Sequence, residues 1–178
     1  GIRSAPASRH LIIRDIELHD CNDNGAIYMY HPKGDASRPD QDILVEDVIS
    51  RDNAVPHGIK FQASGATIRN ALVHNNGGHG ISFAGESGKN TAEFIIAYNN
   101  GQGGVELGGP DSLGRYILSY GNYFGVVTND DAQGVLISDI DAYSNTYGVS
   151  VGQHLYGAFD VVVERSYLHD NSYYGIAL

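Results

Sequence analysis

Apolar residues alternate with polar ones in short runs along the whole chain, and each run closes on the same signature. The segments "LIIRDIEL", "ILVEDVI", "ATIRNALV", "VLISDI" and "VVVERSYL" are apolar at nearly every second position, and Asp15, Asp47, Asn70 and Asp139 break four of the runs. A His or Tyr, one variable residue and Asn follow, then Gly, then a second short alternating triplet. Such triplets are Ile59-Lys60-Phe61, Ile81-Ser82-Phe83, Val105-Glu106-Leu107 and Val149-Ser150-Val151. A period of two is the period of strands, in which neighbouring side chains leave opposite faces. The outer members of each triplet are therefore expected in the core, with Lys60, Ser82, Glu106 and Ser150 facing solvent.

The signature recurs in register. Its Asn column reads Asn53, Asn76, Asn100, Asn122, Asn145 and Asn171, with Cys21 in the first slot; its Gly column reads Gly25, Gly58, Gly80, Gly104, Gly125, Gly148 and Gly175. Successive Asn are 23, 24, 22, 23 and 26 residues apart, and the longer first step holds "HPKGDASRPDQ". Repeats of this length mark stacked architectures, in which each unit buries its apolar face only against its neighbours. The fold class expected is all-β, a right-handed parallel β-helix: one domain over residues 1–178, about seven coils forming three short parallel sheets, with a loop insertion at 31–42.

Parallel strands lie about 4.8 Å apart. Equivalent Asn can therefore bond one coil to the next, and Gly admits a backbone angle or an approach that a Cβ would forbid. The polar breaks are expected to bend one face into the next. His19, Arg51, His74, Tyr98, Tyr120, Tyr143 and His169 form a further column, expected to stack on the outer wall as scaffold. Helices are excluded by dense Gly and β-branched residues without a 3.6-residue stripe. A sandwich would need hairpin turns that the repeat does not supply.

Charge narrows the partners. The formal charge is −10, which argues against nucleic acid as a general partner. Residues 1–90 hold nine Lys and Arg against eleven Asp and Glu, with six of the eight His, whereas residues 91–178 hold two against ten. An anionic ligand is expected in the first half. Cys21 is the only cysteine, so an intrachain disulfide is impossible. No run is long and apolar enough for a spanning helix, so no membrane partner is expected. The chain starts without Met and stops in what reads as mid-strand, as a processed protein or part of a longer solenoid would.

The motif "RDNAVPHG…NNGGHGISF", with "AYNNG", "AYSN" and "LHDN" after it, resembles the catalytic modules of the secreted alginate (mannuronan) C-5 epimerases and the wider set of β-helix polysaccharide lyases. The resemblance extends from about His10 to Leu178. It implies a secreted protein that acts on an acidic polysaccharide, an alginate-like uronan. The family's Tyr, Asp, His and Asp group maps onto "NGAIYMYHPKGD", which keeps Tyr28, Tyr30 and His31. On the next coil His57 and Gln62 stand where the family has Asp, and His79-Gly80 keeps the family's His-Gly step.

Epimerisation and β-elimination of a uronan both begin by removing the proton beside the sugar carboxylate. The site must neutralise that carboxylate, take the proton, and return one or release the leaving oxygen. Lys60 is the expected neutraliser, His57, His79 or His31 the base, and Tyr28 or Tyr30 the acid. The catalytic candidates are thus His57, His79, Lys60, Tyr30 and His31, and the substrate contacts Tyr28, Gln62, Ser82, Glu106 and Arg51. No cofactor is expected, although Asp35, Asp40 and Asp42 offer hard oxygen ligands that leave calcium open. The alternative is a non-catalytic β-helix that binds glycan or builds a surface stalk, its ends covered by flanking β-helix segments or by an oligomer.

Overall fold

The computed structural model describes residues 1–4, 10–29, 42–54, 57–84, 88–129, 132–152 and 158–178. Every regular element among them is a strand. In chain order these are β1 (Ile2–Arg3), β2 (Leu11–His19), β3 (Ile27–Met29), β4 (Ile43–Arg51), β5 (Ile59–Phe61), β6 (Ala66–His74), β7 (Ile81–Phe83) and β8 (Thr91–Tyr98). There follow β9 (Gly103–Leu107), β10 (Leu113–Tyr120), β11 (Phe124–Thr128), β12 (Leu136–Tyr143), β13 (Tyr147–Ser150), β14 (Val162–Glu164), β15 (Tyr167–His169) and β16 (Tyr174–Ala177).

Short and long strands separate into two parallel sheets. The short ones pair in the order β1-β3-β5-β7-β9-β11-β13-β16, and the long ones in the order β2-β4-β6-β8-β10-β12-β14 with β15 also on β12. Because consecutive coils supply consecutive strands, the molecule is a solenoid. Seven registered long strands span about six full turns, slightly fewer than the seven coils counted from the columns.

The long-strand sheet is folded along its middle. Asp15, Asp47, Asn70 and Asp139 occupy the left-handed region with φ between 52° and 56°, and so do Phe94 at 56° and Tyr116 at 54°. Asp and Asn tolerate this conformation because their side chains bond the local backbone, whereas a bulky ring does not. The left-handed residue shifts the alternation by one: Ile43 and Val45 point inward before Asp47, Val48 and Ser50 after it. Two hydrogen-bonded sheets thereby give three walls. The interior is filled by Ile43, Ile68, Ile95, Ile117 and Ile137 facing Ile59, Phe61, Ile81, Phe83, Val105 and Leu107, all essentially inaccessible. In β3 the core residues are Ile27 and Met29, so Tyr28 faces outward.

Six Asn form one ladder. Nδ2 donates to Oδ1 of the next coil from Asn53 to Asn76 (2.7 Å), Asn76 to Asn100 (2.9 Å), Asn100 to Asn122 (3.1 Å), Asn122 to Asn145 (3.2 Å) and Asn145 to Asn171 (3.2 Å). Cys21 joins through its backbone, whose N–H donates to Asn53 Oδ1 at 3.0 Å. The Gly column is required by close approach. A Cβ at Gly58 would lie 2.6 Å from the Gly80 carbonyl oxygen and 2.8 Å from Asn76 Nδ2. Five members of the outer-wall column stack as expected: His74, Tyr98, Tyr120, Tyr143 and His169, with successive centroids 4.6, 5.0, 5.1 and 5.2 Å apart, whereas Arg51 pairs with Glu17 and Asp52 and His19 with Asp20. Across the bend from it Arg14, Glu46, Arg69, Glu93 and Arg115 pair in register with alternating sign, a pattern the columns did not suggest.

Candidate functional site

The outer face of the short-strand sheet brings most of the candidate residues together. Register puts Arg3, Tyr28, Lys60, Ser82 and Glu106 in one row, each a single coil from the next. The row is less exposed than its alternation predicts. Ser82 is fully buried, Glu106 is 9 % exposed, Ser150 is buried and Lys60 is half-buried. Residues on successive coils stand only about 4.8 Å apart and shield one another, and this corrects the expectation that the row faces open solvent.

His57 and His79 lie beside the row, their rings parallel at 5.5 Å. His57 Nδ1 accepts the backbone N–H of His79 at 3.2 Å, and His79 Nδ1 accepts that of Gly103 at 3.0 Å. An imidazole whose Nδ1 lone pair is so engaged carries its proton on Nε2 when neutral. Burial keeps both rings neutral: it pushes His57 down to about 3, helped by the positive charge of Lys60, and pushes His79 down against the opposing pull of Glu106. Neither ring therefore presents a basic nitrogen to the face. The base role expected of them is replaced by that of a hydrogen-bond acceptor for the next coil and an N–H donor outward.

The carboxylate in the row is Glu106. Ser82 Oγ donates to its Oε2, and His79 Nε2 lies 3.8 Å from the same oxygen. Its Oε1 has no hydrogen-bond partner among the described residues and is not enclosed. At the other end of the row the Tyr28 hydroxyl donates to Gln62 Oε1 at 2.8 Å, and the Arg3 guanidinium lies 5.6 Å from the centroid of the Tyr28 ring. A pocket of about 390 Å³ opens there, lined by Arg3, Tyr28, Cys21 and the first corner.

Arg51 does not join this group. It stands on the long-strand sheet, held by Glu17 and Asp52 at 2.6 Å each. Tyr30, His31, Asp35 and Asp40 lie outside the described residues. Asp42 is bonded to His10 Nδ1 at 3.0 Å. Among the described residues no cluster of three or more His, Cys, Asp or Glu side chains could hold a metal ion. Arg3 was missed from the sequence because it precedes the first full repeat, so no column contains it. Glu106 was read as a contact because its partner Ser82 is undistinguished in sequence.

The family described as "Right handed beta helix region" matches residues 38–178. The chain belongs to this family. Among solved structures the β-helix is similar to the Azotobacter vinelandii Mannuronan C-5 epimerase AlgE6 A-module, with 16 % sequence identity and a TM-score of 0.67. The alignment covers 96 % of this chain and 54 % of that one, so this β-helix spans about half the length of the structure it matches. At such identity the likeness is one of fold. None of the curated proteins compared with the β-helix matches it.

Proposed function

We propose that this β-helix acts, outside the cell, on an acidic polysaccharide of the alginate-like uronan class, by proton abstraction at C-5 of the epimerase or lyase type. The observation that carries the reading is the single row in which Lys60 stands between Tyr28 on one side and the Ser82–Glu106 pair on the other. The mannuronan epimerase named among similar structures gives the same polymer class.

The roles follow from the chemistry of each group. The Lys60 ammonium pairs with the sugar carboxylate and disperses the charge that develops when the neighbouring C–H ionises. Glu106 Oε1 takes the C-5 proton while Oε2 is held by Ser82, so the carboxylate becomes a carboxylic acid and its electron pair forms the new O–H bond. Tyr28 and Glu106 are three coils apart, about 14 Å along the ladder, which leaves a sugar ring between their side chains. In epimerisation the Tyr28 hydroxyl protonates C-5 from the opposite side; in elimination it protonates the departing O-4 oxygen instead. Either way the phenolate left behind recovers a proton from solvent, and the Glu106 carboxylic acid releases the C-5 proton to solvent, which restores both groups.

Incubation with alginate, pectate and related uronans tests this. Elimination yields an unsaturated, ultraviolet-absorbing sugar, and epimerisation alters the proton spectrum of an intact chain. Absence of both changes across the panel rejects the reading. Glycan binding without chemistry is the second reading, and the locking of both imidazoles by backbone N–H groups favours it. Binding of the same uronans with neither spectral change is its signature.

A further inference from the structure

The molecule holds 21 Asp and Glu against 11 Lys and Arg, so cations readily find carboxylates. On the long-strand sheet they do: Arg14 and Arg69 lie 4.0 and 2.6 Å from Glu46, Arg115 is 2.7 Å from Glu93, and Arg165 is 3.0 Å from Asp139. On the short-strand sheet they do not. Neither Arg3 nor Lys60 has a carboxylate partner among the described residues, although both occupy the same row and flank Tyr28 in register. The two acids that line the pocket with Arg3 have other partners, since Asp20 bonds His19 Nδ1 at 2.7 Å and Asp23 accepts the Asn24 N–H at 2.8 Å.

We propose that Arg3 and Lys60 form a two-point clamp for a linear polyuronan lying along the solenoid axis, each cation taking one sugar carboxylate. This rests on the uronan reading above and adds to it the direction of the polymer and a second contact. The two residues are two coils apart, about 9.6 Å. An extended chain of 1,4-linked pyranoses in which neighbours are flipped places every second carboxylate on the same side, at a comparable spacing. Tyr28, between the two cations, lies beside the intervening sugar. The guanidinium over its ring is already oriented, so little side-chain freedom remains to be lost when a carboxylate arrives. The clamp selects for length: a disaccharide engages Lys60 alone, and a tetrasaccharide reaches both cations.

Calorimetric titration of the full chain with uronate di- and tetrasaccharides, and with a neutral tetrasaccharide, tests the clamp in the wild type, Arg3→Gln and Lys60→Gln. Both substitutions are at accessible positions, and thermal melting verifies that each variant is folded. The wild type should bind the uronate tetrasaccharide about tenfold more tightly than the disaccharide, as one added charge-assisted contact provides, and the neutral sugar weakly. Arg3→Gln should erase that advantage and leave disaccharide affinity unchanged, while Lys60→Gln should weaken both. If Arg3→Gln binds the tetrasaccharide as the wild type does, or weakens the disaccharide equally, the clamp is wrong while the uronan reading stands. If the wild type neither binds nor alters any uronan, both fail.

Discussion

His57 Nδ1 accepts the amide proton of His79 on the next coil at 3.2 Å, the reverse of the Asn ladder, in which each Oδ1 takes a backbone N–H of the preceding coil. The ring must stay unprotonated to do so. His57 is held down to about 3 by burial, and an unfolded chain restores it to about 6.5. Above the unfolded value both states are neutral and the group has no pH effect. As pH falls from there toward 3 the unfolded state takes up a proton that the folded state refuses, and stability drops. Urea denaturation should show the wild type losing on the order of 2 kcal/mol relative to His57→Gln between pH 6.5 and 4.5. A pH-independent difference between the two proteins would refute the role.

Asn100 carries the middle of the ladder. Its Oδ1 accepts from Asn76, while Nδ2 donates to Asn122 Oδ1 at 3.1 Å and the Val73 carbonyl at 3.2 Å. Asn100→Ala leaves several buried groups unpaired and should destabilise by about 3 kcal/mol. Arg115→Gln breaks a solvent-screened pair and should cost far less than Asn100→Ala, less still in high salt. Equal chemical-denaturation midpoints for the two variants would contradict the ladder's importance.

Gly80 shows how tightly the coils nest. An added Cβ would stand 2.7 Å from Val73 Cγ2 and 2.8 Å from the Gly104 carbonyl oxygen, and the latter cannot move without shifting a coil. Gly80→Ala should destabilise by about 2 kcal/mol despite the entropy that Ala removes from the unfolded chain, visible as a melting point lowered by several degrees. An unchanged melting point would mean that the backbone there has slack.

The proposed chemistry separates into binding and turnover. Glu106→Gln keeps the shape and removes the base, so turnover of a uronan should fall by roughly 100-fold or more with little change in affinity. Lys60→Gln should weaken both. Full activity in Glu106→Gln would move the base elsewhere on the face.

The columns made the solenoid legible because each stacked residue answers to the same physical demand in every coil. The Asn ladder, the Gly approach and the His74–His169 stack could therefore be read from spacing alone. Departures from a column were harder. Phe94 and Tyr116 take the bend position at positive φ, with their rings stacked at 4.9 Å and 51 % and 46 % exposed, where the pattern of Asp and Asn gave no hint of an aromatic. The burial of Ser82 and Glu106 was hidden for another reason: alternation reports which face a side chain leaves, but not how closely its neighbours crowd it. The state of the two imidazoles depended on backbone donors from other coils, which local sequence does not reveal.

Every rung of the amide ladder points the same way, with donor on one coil and acceptor on the next. Each layer therefore offers a donor surface on one side and a matching acceptor surface on the other, and the length of such a molecule is quantised. Adding or deleting one whole layer leaves all side-chain registers intact, whereas any fractional change must be extruded at a corner. Related chains should accordingly differ by integral numbers of layers, with irregular lengths confined to the corners.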